Sequence, residues 1–435
     1  MSAAPLFTTA AELVSRPAPR PAERSVQQCH LHYNGPGAAG FGVKRTAMLL
    51  PESAMLLVAP GCCGRHGTVA GHRTGFDGRM FYLCLDERDV VTGSYLKRIP
   101  EAARRVCETA RPKALLLCMT CVDALLGTDL DWIGRKVQED CGVPVVSCFM
   151  DPITRESKKA PMVSVQQAIM QCLQKGSLEE GAVNLLGNFV PLDAGCELPL
   201  ALELAGFGTI RQISACRSFD EYQEMGRAAL NLVVHPQAAA SARDLERRLA
   251  IPWAEMGHTY GVERTRREYE KLGLALNRPL DVENFAREAQ AALDSFAARR
   301  RGISVAVGEA VNGNPLEIAE TFLEAGVEVP FVLRTIVTPS DMAALRRIAK
   351  IRPDLRIFSG VHPSMQNADF SRERADVALG LDAGYFLPQA VSVCWNMERQ
   401  PFGFEGLKAL LAQIDEDLAH PKSHREQMSG SYLVV

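Results

Sequence analysis

Short apolar runs alternate with longer amphipathic segments along most of the chain. The run Met55–Ala59 is followed by Met80–Leu83, and Ser94–Thr109 then carries apolar residues at helical spacing. Buried strands that alternate with helices are typical of βαβ units, whose strands form a parallel sheet. The pattern predicts a first set of strands at Met55–Ala59, Met80–Leu83, Ala114–Cys118 and Val143–Phe149.

The same alternation returns twice further along the chain. A second set of strands begins at Ala182–Leu186 and a third at Ile303–Val307, and the segment Asp281–Arg301 between them is predicted to form one long helix. The basic residues Arg299–Arg301 suit the C-terminus of a helix, where the helix dipole favours cations. The fold class is therefore predicted to be α/β, with three sets of parallel strands.

The composition is that of an ordinary globular protein. At 435 residues the chain is too long for a single hydrophobic core. Its formal net charge of −3 shows no basic excess that would indicate nucleic acid as a partner. No apolar run approaches the roughly 18 residues needed to span a bilayer, and residues 1–24 lack the pattern of an export signal. We therefore expect a cytoplasmic protein that binds neither membrane nor nucleic acid.

Thirteen cysteines are spread over the chain. Their number is odd and no export signal precedes them, so reduced thiols are expected rather than a disulfide framework. Most of these thiols are interpreted as small buried side chains. Residues of this kind, which lie within apolar segments, are Cys84, Cys148 and Cys172.

Two pairs of cysteines lie where predicted strands end. Cys62 and Cys63 follow the first strand, and Cys118 and Cys121 lie at the end of the third. The carboxyl ends of neighbouring parallel strands meet at one edge of a sheet, so thiolates there can converge on a soft metal centre. Together with Cys29, these cysteines predict an iron–sulfur site.

Other interpretations of these segments stay open. The C-x-x-C spacing of Cys118 and Cys121 also occurs in redox dithiols, whereas a zinc ribbon would need a second such pair, which the sequence lacks. The glycines of Pro60–Gly67 allow a backbone to approach a cluster, yet they equally suit an ordinary turn. Nucleotide binding is not expected, because neither common glycine-rich phosphate motif occurs.

Several motifs, in order along the chain, resemble component 1 of nitrogenase and its relatives. The clearest is TCVDALLGTDL at Thr120–Leu130, which resembles the family's cysteine loop and the helix after it. The resemblance covers nearly the whole chain and also rests on Cys29, Pro60–Cys63, Asp86–Ile99, Val183–Phe189, Leu230–His235, Ile251–Gly261, Phe358–Met365 and Phe402–Leu411.

The resemblance implies a subunit built of three Rossmann-like domains with parallel sheets. It also implies a homologous partner subunit in an α2β2-type heterotetramer, with electrons delivered by an ATP-dependent iron–sulfur reductase protein. The expected divisions are a flexible N-terminal tail, two domains of which the second ends in the long helix, and a third domain with a C-terminal tail, at residues 1–26, 27–180, 181–301 and 302–435.

In this family an iron–sulfur cluster lies at the subunit interface and takes three cysteines from each subunit. Carried over by motif, the ligands in this chain would be Cys29, Cys62 and Cys121. Cys63 is the alternative to Cys62, because the motif allows a shift of one residue. The cluster would be of the [4Fe–4S] or the [8Fe–7S] type, the latter being a P-cluster, and it would relay electrons.

The family's catalytic subunit holds a large cofactor with a cysteine after a second-domain strand and a histidine in the third domain. Here the two ligand types look exchanged, since His235 occupies the cysteine's position and Cys394 lies near the histidine's. Imidazole and thiolate both suit iron, so the two residues could hold a second large iron–sulfur cofactor. The alternative is a partner-type subunit in which His235 caps a strand end and Cys394 is a buried thiol.

The expected function follows from the same resemblance. The segment Asp151–Ser164 lacks the histidine that nitrogenase presents to its substrate, so dinitrogen reduction is not expected. We interpret the chain as a subunit of a nitrogenase-like reductase of small molecules, with methylthio-alkanes favoured and no catalytic residue assigned. The alternatives are a tetrapyrrole-reducing relative, a non-catalytic scaffold for assembly of a nitrogenase-type cofactor, and an iron-free binding protein for a small ligand.

Overall fold

The computed structural model describes residues 6–16, 42–61, 76, 78–120, 122–150, 161–188, 190–193, 195–360, 365, 367–396 and 400–430. These residues form two units. The two-sheet unit contains the described residues of 39–191 and 206–256. The single-sheet unit contains those of 1–38, 192–205 and 257–431.

The elements are numbered in chain order. The strands are β1 (Phe7–Thr9), β2 (Ser53–Pro60), β3 (Met80–Leu85), β4 (Ala114–Thr120), β5 (Val145–Met150), β6 (Glu179–Leu186), β7 (Thr209–Gln212), β8 (Ala228–Val233), β9 (Trp253–Glu255), β10 (Val305–Val307), β11 (Phe331–Leu333), β12 (Arg356–Phe358), β13 (Val377–Leu379) and β14 (Val391–Val393). The helices are α1 (Ala10–Ser15), α2 (Gly42–Ala47), α3 (Glu87–Thr92), α4 (Tyr95–Ala110), α5 (Val122–Leu126), α6 (Leu130–Cys141), α7 (Pro161–Met170), α8 (Leu198–Leu204), α9 (Phe219–Gln223), α10 (Ala239–Leu249), α11 (Val262–Leu276), α12 (Glu283–Arg299), α13 (Pro315–Glu324), α14 (Met342–Ile351), α15 (Leu381–Phe386), α16 (Gly403–Ala419) and α17 (His424–Gly430).

The first sheet of the two-sheet unit is parallel, with the strand order β3-β2-β4-β5. Its central strands are continuous runs of buried residues, as expected for a sheet with helices on both faces. Leu56 and Val58 pack with α4 and α6 on one face. Met55 and Leu57 pack with α2 and α7 on the other.

The second sheet of this unit is also parallel, with the order β7-β6-β8-β9. The chain adds β7 on one side of β6 and then β8 on the other, so the winding direction reverses between β6 and β8. Asn184 and Asn231 are buried on these two strands, and Asn184 Nδ2 donates to Asn231 Oδ1 at 2.8 Å. Ligands of open α/β sheets bind at the carboxyl edge beside such a reversal.

The single-sheet unit has the strand order β1-β12-β11-β10-β13-β14. All neighbours are parallel except β1, which pairs antiparallel with β12. Thr9 and Glu12 form a capping box that starts α1 directly after β1. The winding of the parallel strands reverses between β10 and β13, which places the carboxyl edge of these two strands at a second switch point.

The predicted α/β fold class is confirmed, and most predicted elements are present. Two local differences have a clear cause. The helical pattern of the sequence at Leu125–Asp140 predicts one helix, but the structure divides this segment into α5 and α6 around Gly127, whose φ is +64°. Cys84 was expected to be buried. It is exposed, because β3 is an edge strand of its sheet. The elements β1 and α1 were not expected, and the domain boundaries remain predictions.

No helix in the described part of the chain is long and apolar enough to cross a membrane.

Candidate functional site

The predicted cluster ligands Cys29, Cys62, Cys63 and Cys121 lie outside the described residues. The structure describes the strands that precede three of them. β2 and β4 are adjacent and parallel, with Val58 opposite Met119, so the chain leaves both strands at the same edge of the sheet. The topology on which the prediction rests is therefore present, while the ligands themselves remain predictions.

Cys118 lies in the core of the two-sheet unit. It is fully buried on β4, and its Cα atom pairs in register with that of Cys148 on β5. Burial raises the pKa of the Cys148 thiol well above its ordinary value, so that thiol stays protonated. Among the described residues, no three His, Cys, Asp or Glu side chains are arranged to hold a metal ion.

His235 begins the turn that follows β8. Its backbone is extended, and its Nδ1 atom accepts a hydrogen bond from the backbone N–H of Gln237 at 3.3 Å, which caps the short turn Pro236–Ala238. Burial lowers the pKa of the His235 imidazole to about 4. The ring is therefore neutral at pH 7, which is the form that binds metals.

The same hydrogen bond determines which ring nitrogen of His235 carries the proton. A neutral imidazole has one donor and one acceptor nitrogen, and because Nδ1 accepts, the proton is on Nε2. Metal-bound histidines usually ligate with one nitrogen and donate a hydrogen bond from the other. In the present conformation His235 caps the turn after β8, and ligation of iron would require its hydrogen bond with the Gln237 N–H to be broken.

We expect Gly187→Ala to disturb the His235 turn. Gly187 follows β6 with a φ of +121°, and an added Cβ atom would lie 2.6 Å from the Cβ of His235 and 3.0 Å from its backbone nitrogen. The free energy of unfolding should fall by about 1–3 kcal/mol, measured by urea denaturation. Gly195→Ala is the control, since no atom lies within 4 Å of its Cβ position. Equal losses in the two variants would contradict this prediction.

Cys394 follows β14 in the single-sheet unit and is half-buried. A buried network fixes the backbone next to it. Trp395 Nε1 donates to the Tyr260 hydroxyl at 2.7 Å, Tyr260 donates to the Asn312 carbonyl at 2.5 Å, and the Asn312 N–H donates to the Trp395 carbonyl at 2.7 Å. The imidazole of His258 lies edge-on to Tyr260, with ring centroids 4.6 Å apart. Cys394 is therefore carried on a rigid segment of backbone.

A buried carboxyl group lies at the switch point of the single-sheet unit. Asp382, in the first turn of α15 directly after β13, accepts hydrogen bonds from the backbone N–H groups of Glu309 and Ala310, at 2.6 and 3.1 Å. A Cβ atom on Gly308 would lie 2.1 Å from Asp382 Oδ1, so only glycine leaves room for this contact. Burial raises the pKa of Asp382 to about 6. The carboxyl group thus occupies the crevice where an anionic ligand of an open α/β sheet would bind.

The sequence-based interpretation did not select Asp382. The only sequence signal is its place in GLDAG, directly after a short buried strand. In the sequence, an acidic residue at this position looks like an ordinary exposed residue in the first turn of a helix. Only the packing of α15 against the loop after β10 shows that Asp382 is buried.

Comparison with known proteins identifies the family. A family model described as nitrogenase component 1 type oxidoreductase matches residues 38–419. The chain belongs to this family. The resemblance inferred from the sequence motifs is thereby confirmed, and the nitrogenase component 1 fold accounts for the parallel sheets described above.

Two groups of relatives within the nitrogenase component 1 type family are similar to this chain. The nitrogenase iron-molybdenum cofactor biosynthesis protein NifE of Sinorhizobium fredii is 26% identical over 423 residues, covering 88% of this chain and 82% of the relative. The same protein of Rhodobacter capsulatus is 25% identical over 409 residues. The chlorophyllide reductase 52.5 kDa chain of Cereibacter sphaeroides is 22% identical over 370 residues, covering 80% and 72% of the two chains.

Solved nitrogenase component 1 structures share the fold. The structure named nitrogenase Cp1 at pH 5 superposes with a TM-score of 0.66 over 96% of this chain and 94% of its own, at 16% identity. The structure named nitrogenase Cp1 at pH 6.5 gives 0.64 over 90% of each chain. The identities are low, so these matches support the fold, and the roles of His235 and Cys394 remain predictions.

Proposed function

We propose that this chain is a scaffold subunit on which a nitrogenase-type cofactor is assembled and then passed on. The observation that carries the proposal is the similarity to cofactor biosynthesis proteins named NifE, which extends over 88% of this chain and 82% of the Sinorhizobium fredii relative. From the sequence alone a methylthio-alkane reductase is the first expectation and the scaffold its alternative. These relatives favour the alternative.

In this proposal the large cofactor is cargo, and a second iron–sulfur cluster is resident at the interface with a homologous partner subunit. Cys29, Cys121 and either Cys62 or Cys63 would ligate the resident cluster, which supplies one-electron transfer when bound. The chain's own contribution is to bring these thiolates to the common edge of β2 and β4 and to exclude water from it.

The geometry of His235 supports transient rather than permanent binding of the cargo. Its imidazole is neutral and so chemically able to ligate iron. Its Nδ1 atom is already engaged by the Gln237 N–H, so binding through the ring must break or reorganise that contact. A ligand that must be released from a competing hydrogen bond holds its metal more weakly than one that is already oriented.

A transfer experiment tests the scaffold proposal. The complex of this chain with its partner subunit should be purified without oxygen from a host that makes nitrogenase cofactor, and then mixed with cofactor-free nitrogenase component 1. We expect substrate reduction by the recipient to appear only after mixing. A complex that carries iron but never activates the recipient, while reducing a substrate itself, would contradict the proposal.

The ligand prediction is tested by Cys121→Ala, since removal of one thiolate should destroy an interface cluster. We expect iron content to fall by the share of the resident cluster and its electron paramagnetic resonance signal to disappear. Cys84→Ala is the matched control, because that residue is exposed on an edge strand and should leave the iron content unchanged. An unaltered signal in Cys121→Ala would overturn the assignment of Cys121.

A reductase is the second candidate, favoured by the similarity to the chlorophyllide reductase 52.5 kDa chain. It predicts turnover when an ATP-dependent iron–sulfur reductase protein is added together with a tetrapyrrole or a methylthio-alkane. In that case Cys394→Ala should abolish the signal of a large cofactor if Cys394 is its ligand. Turnover without transfer activity would favour this candidate over the scaffold.

A further inference from the structure

A small pocket lies at the switch point of the second sheet in the two-sheet unit. It is lined by Leu186 at the end of β6, by Gly187 and Asn188 after that strand, by Ile213 after β7, and by Ala238 and Ser241 after β8. The winding of the sheet reverses between β6 and β8, so the pocket occupies the position where open α/β sheets bind their ligands.

Three polar side chains in this pocket each have one atom with no hydrogen-bond partner among the residues that the structure describes. The atoms concerned are Oε1 of Gln166 on α7, Nδ2 of Asn188 after β6, and Oγ of Ser241 on α10. The residues are 6%, 6% and 1% exposed, so water at the surface does not satisfy them. Buried polar atoms are nearly always hydrogen-bonded, so three such atoms that line one cavity are suited to hold one polar group between them.

The size and lining of the pocket limit that group. The cavity volume is about 10 Å³, which is room for one small polar group. None of the described lining residues is charged, and the remainder are apolar side chains or glycine. An ionised group would find no counter-charge among them, so a neutral group is favoured.

We propose that this pocket binds a single neutral hydroxyl group. The three unpaired atoms supply two donors, the Asn188 amide and the Ser241 hydroxyl, and one acceptor, the Gln166 carbonyl oxygen. A hydroxyl oxygen accepts two hydrogen bonds and its proton donates one, so one such group satisfies all three side chains at once. The hydroxyl belongs either to an internal water molecule or to the end of a small organic alcohol.

A high-resolution structure of the full chain tests the proposal and separates the two sources. Without alcohol, we expect an isolated oxygen within about 2.7–3.2 Å of all three atoms. After soaking with ethanol, an oxygen at the same place that carries an ethyl group indicates that the site accepts organic alcohols; an unchanged isolated oxygen indicates water alone. An empty pocket under both conditions, or three side chains bonded to other protein groups, would overturn the proposal.

Binding in solution provides the second readout. We expect ethanol to shift the side-chain amide NMR signal of Asn188, and acetonitrile, which accepts but cannot donate a hydrogen bond, to act more weakly. Ser241→Ala should weaken the ethanol effect about five-fold, as loss of one hydrogen bond does. Ser214→Ala is the matched control, because the Ser214 hydroxyl is also buried without a partner but does not line the pocket. Stronger binding of acetate than of ethanol, or equal losses in the two serine variants, would contradict a neutral hydroxyl site.

Discussion

Replacing Arg334 with methionine should lower the free energy of unfolding of the single-sheet unit by about 3–5 kcal/mol. Arg334 follows β11, and its guanidinium contacts the carboxylate of Asp341, which is fully buried, at 2.9 Å. Without the cation, a desolvated carboxylate would remain with hydrogen bonds from Asn314 and Thr338 but no counter-charge. Removing one partner of a buried pair costs far more than the pair itself contributes.

The measurement is calorimetry of the full chain, followed through the transition of the unit that contains Arg334. Arg352→Met is the control, because Arg352 pairs with Asp354 at 3.1 Å but the two side chains are 38% and 72% exposed. An exposed pair of this kind contributes at most about 1 kcal/mol. If both variants lower the transition temperature equally, the burial of Asp341 is not the reason for the stabilising effect of Arg334.

The stability of the wild type relative to Asp382→Asn should fall by about 2 kcal/mol between pH 4 and pH 7. Burial raises the pKa of Asp382 to about 6 in the folded chain, whereas an unfolded aspartate titrates near 3.9. Between these values the folded state holds more protons than the unfolded state, so its stability declines as the pH rises. Above about pH 7 both states are ionised and the difference should become flat.

The quantity to measure is the change with pH in the difference in free energy of unfolding between the wild type and Asp382→Asn, determined by urea denaturation at each pH. A constant offset from altered hydrogen bonds to Glu309 and Ala310 then cancels. Glu309 is the acidic neighbour that raises the pKa of Asp382 further, so Glu309→Gln should reduce the effect. A difference that rises with pH, or one that does not change, would contradict a buried carboxyl group.

Local patterns were enough to predict most of the fold. The strand predicted at Ala114–Cys118 is present as β4, because an apolar run between turns depends on nothing distant. β1 could not be predicted, since Phe7–Thr9 becomes a strand only by pairing with Arg356–Phe358. The break between α5 and α6 depends on the left-handed conformation of Gly127, which a helical pattern does not show.

For the candidate cluster site, the sequence could predict which strand ends lie side by side, because the order of parallel strands determines this. Cysteines after adjacent strands were expected at one edge, and β2 and β4 are indeed neighbours. The pocket formed by Gln166, Asn188 and Ser241 gave no sequence signal, because its residues come from three separate segments and each is an ordinary polar residue. Their lack of partners is a property of the packed structure alone.

The pairing of β1 with β12 has a consequence for how the protein is made. β1 leaves the ribosome before its partner strand, which follows roughly 350 residues later. At ordinary synthesis rates, β1 waits on the order of 20–70 s with its backbone unpaired and Phe7 uncovered. Newly made chains therefore carry β1 unpaired until β12 has been synthesised, and truncation before β12 would leave β1 without its partner.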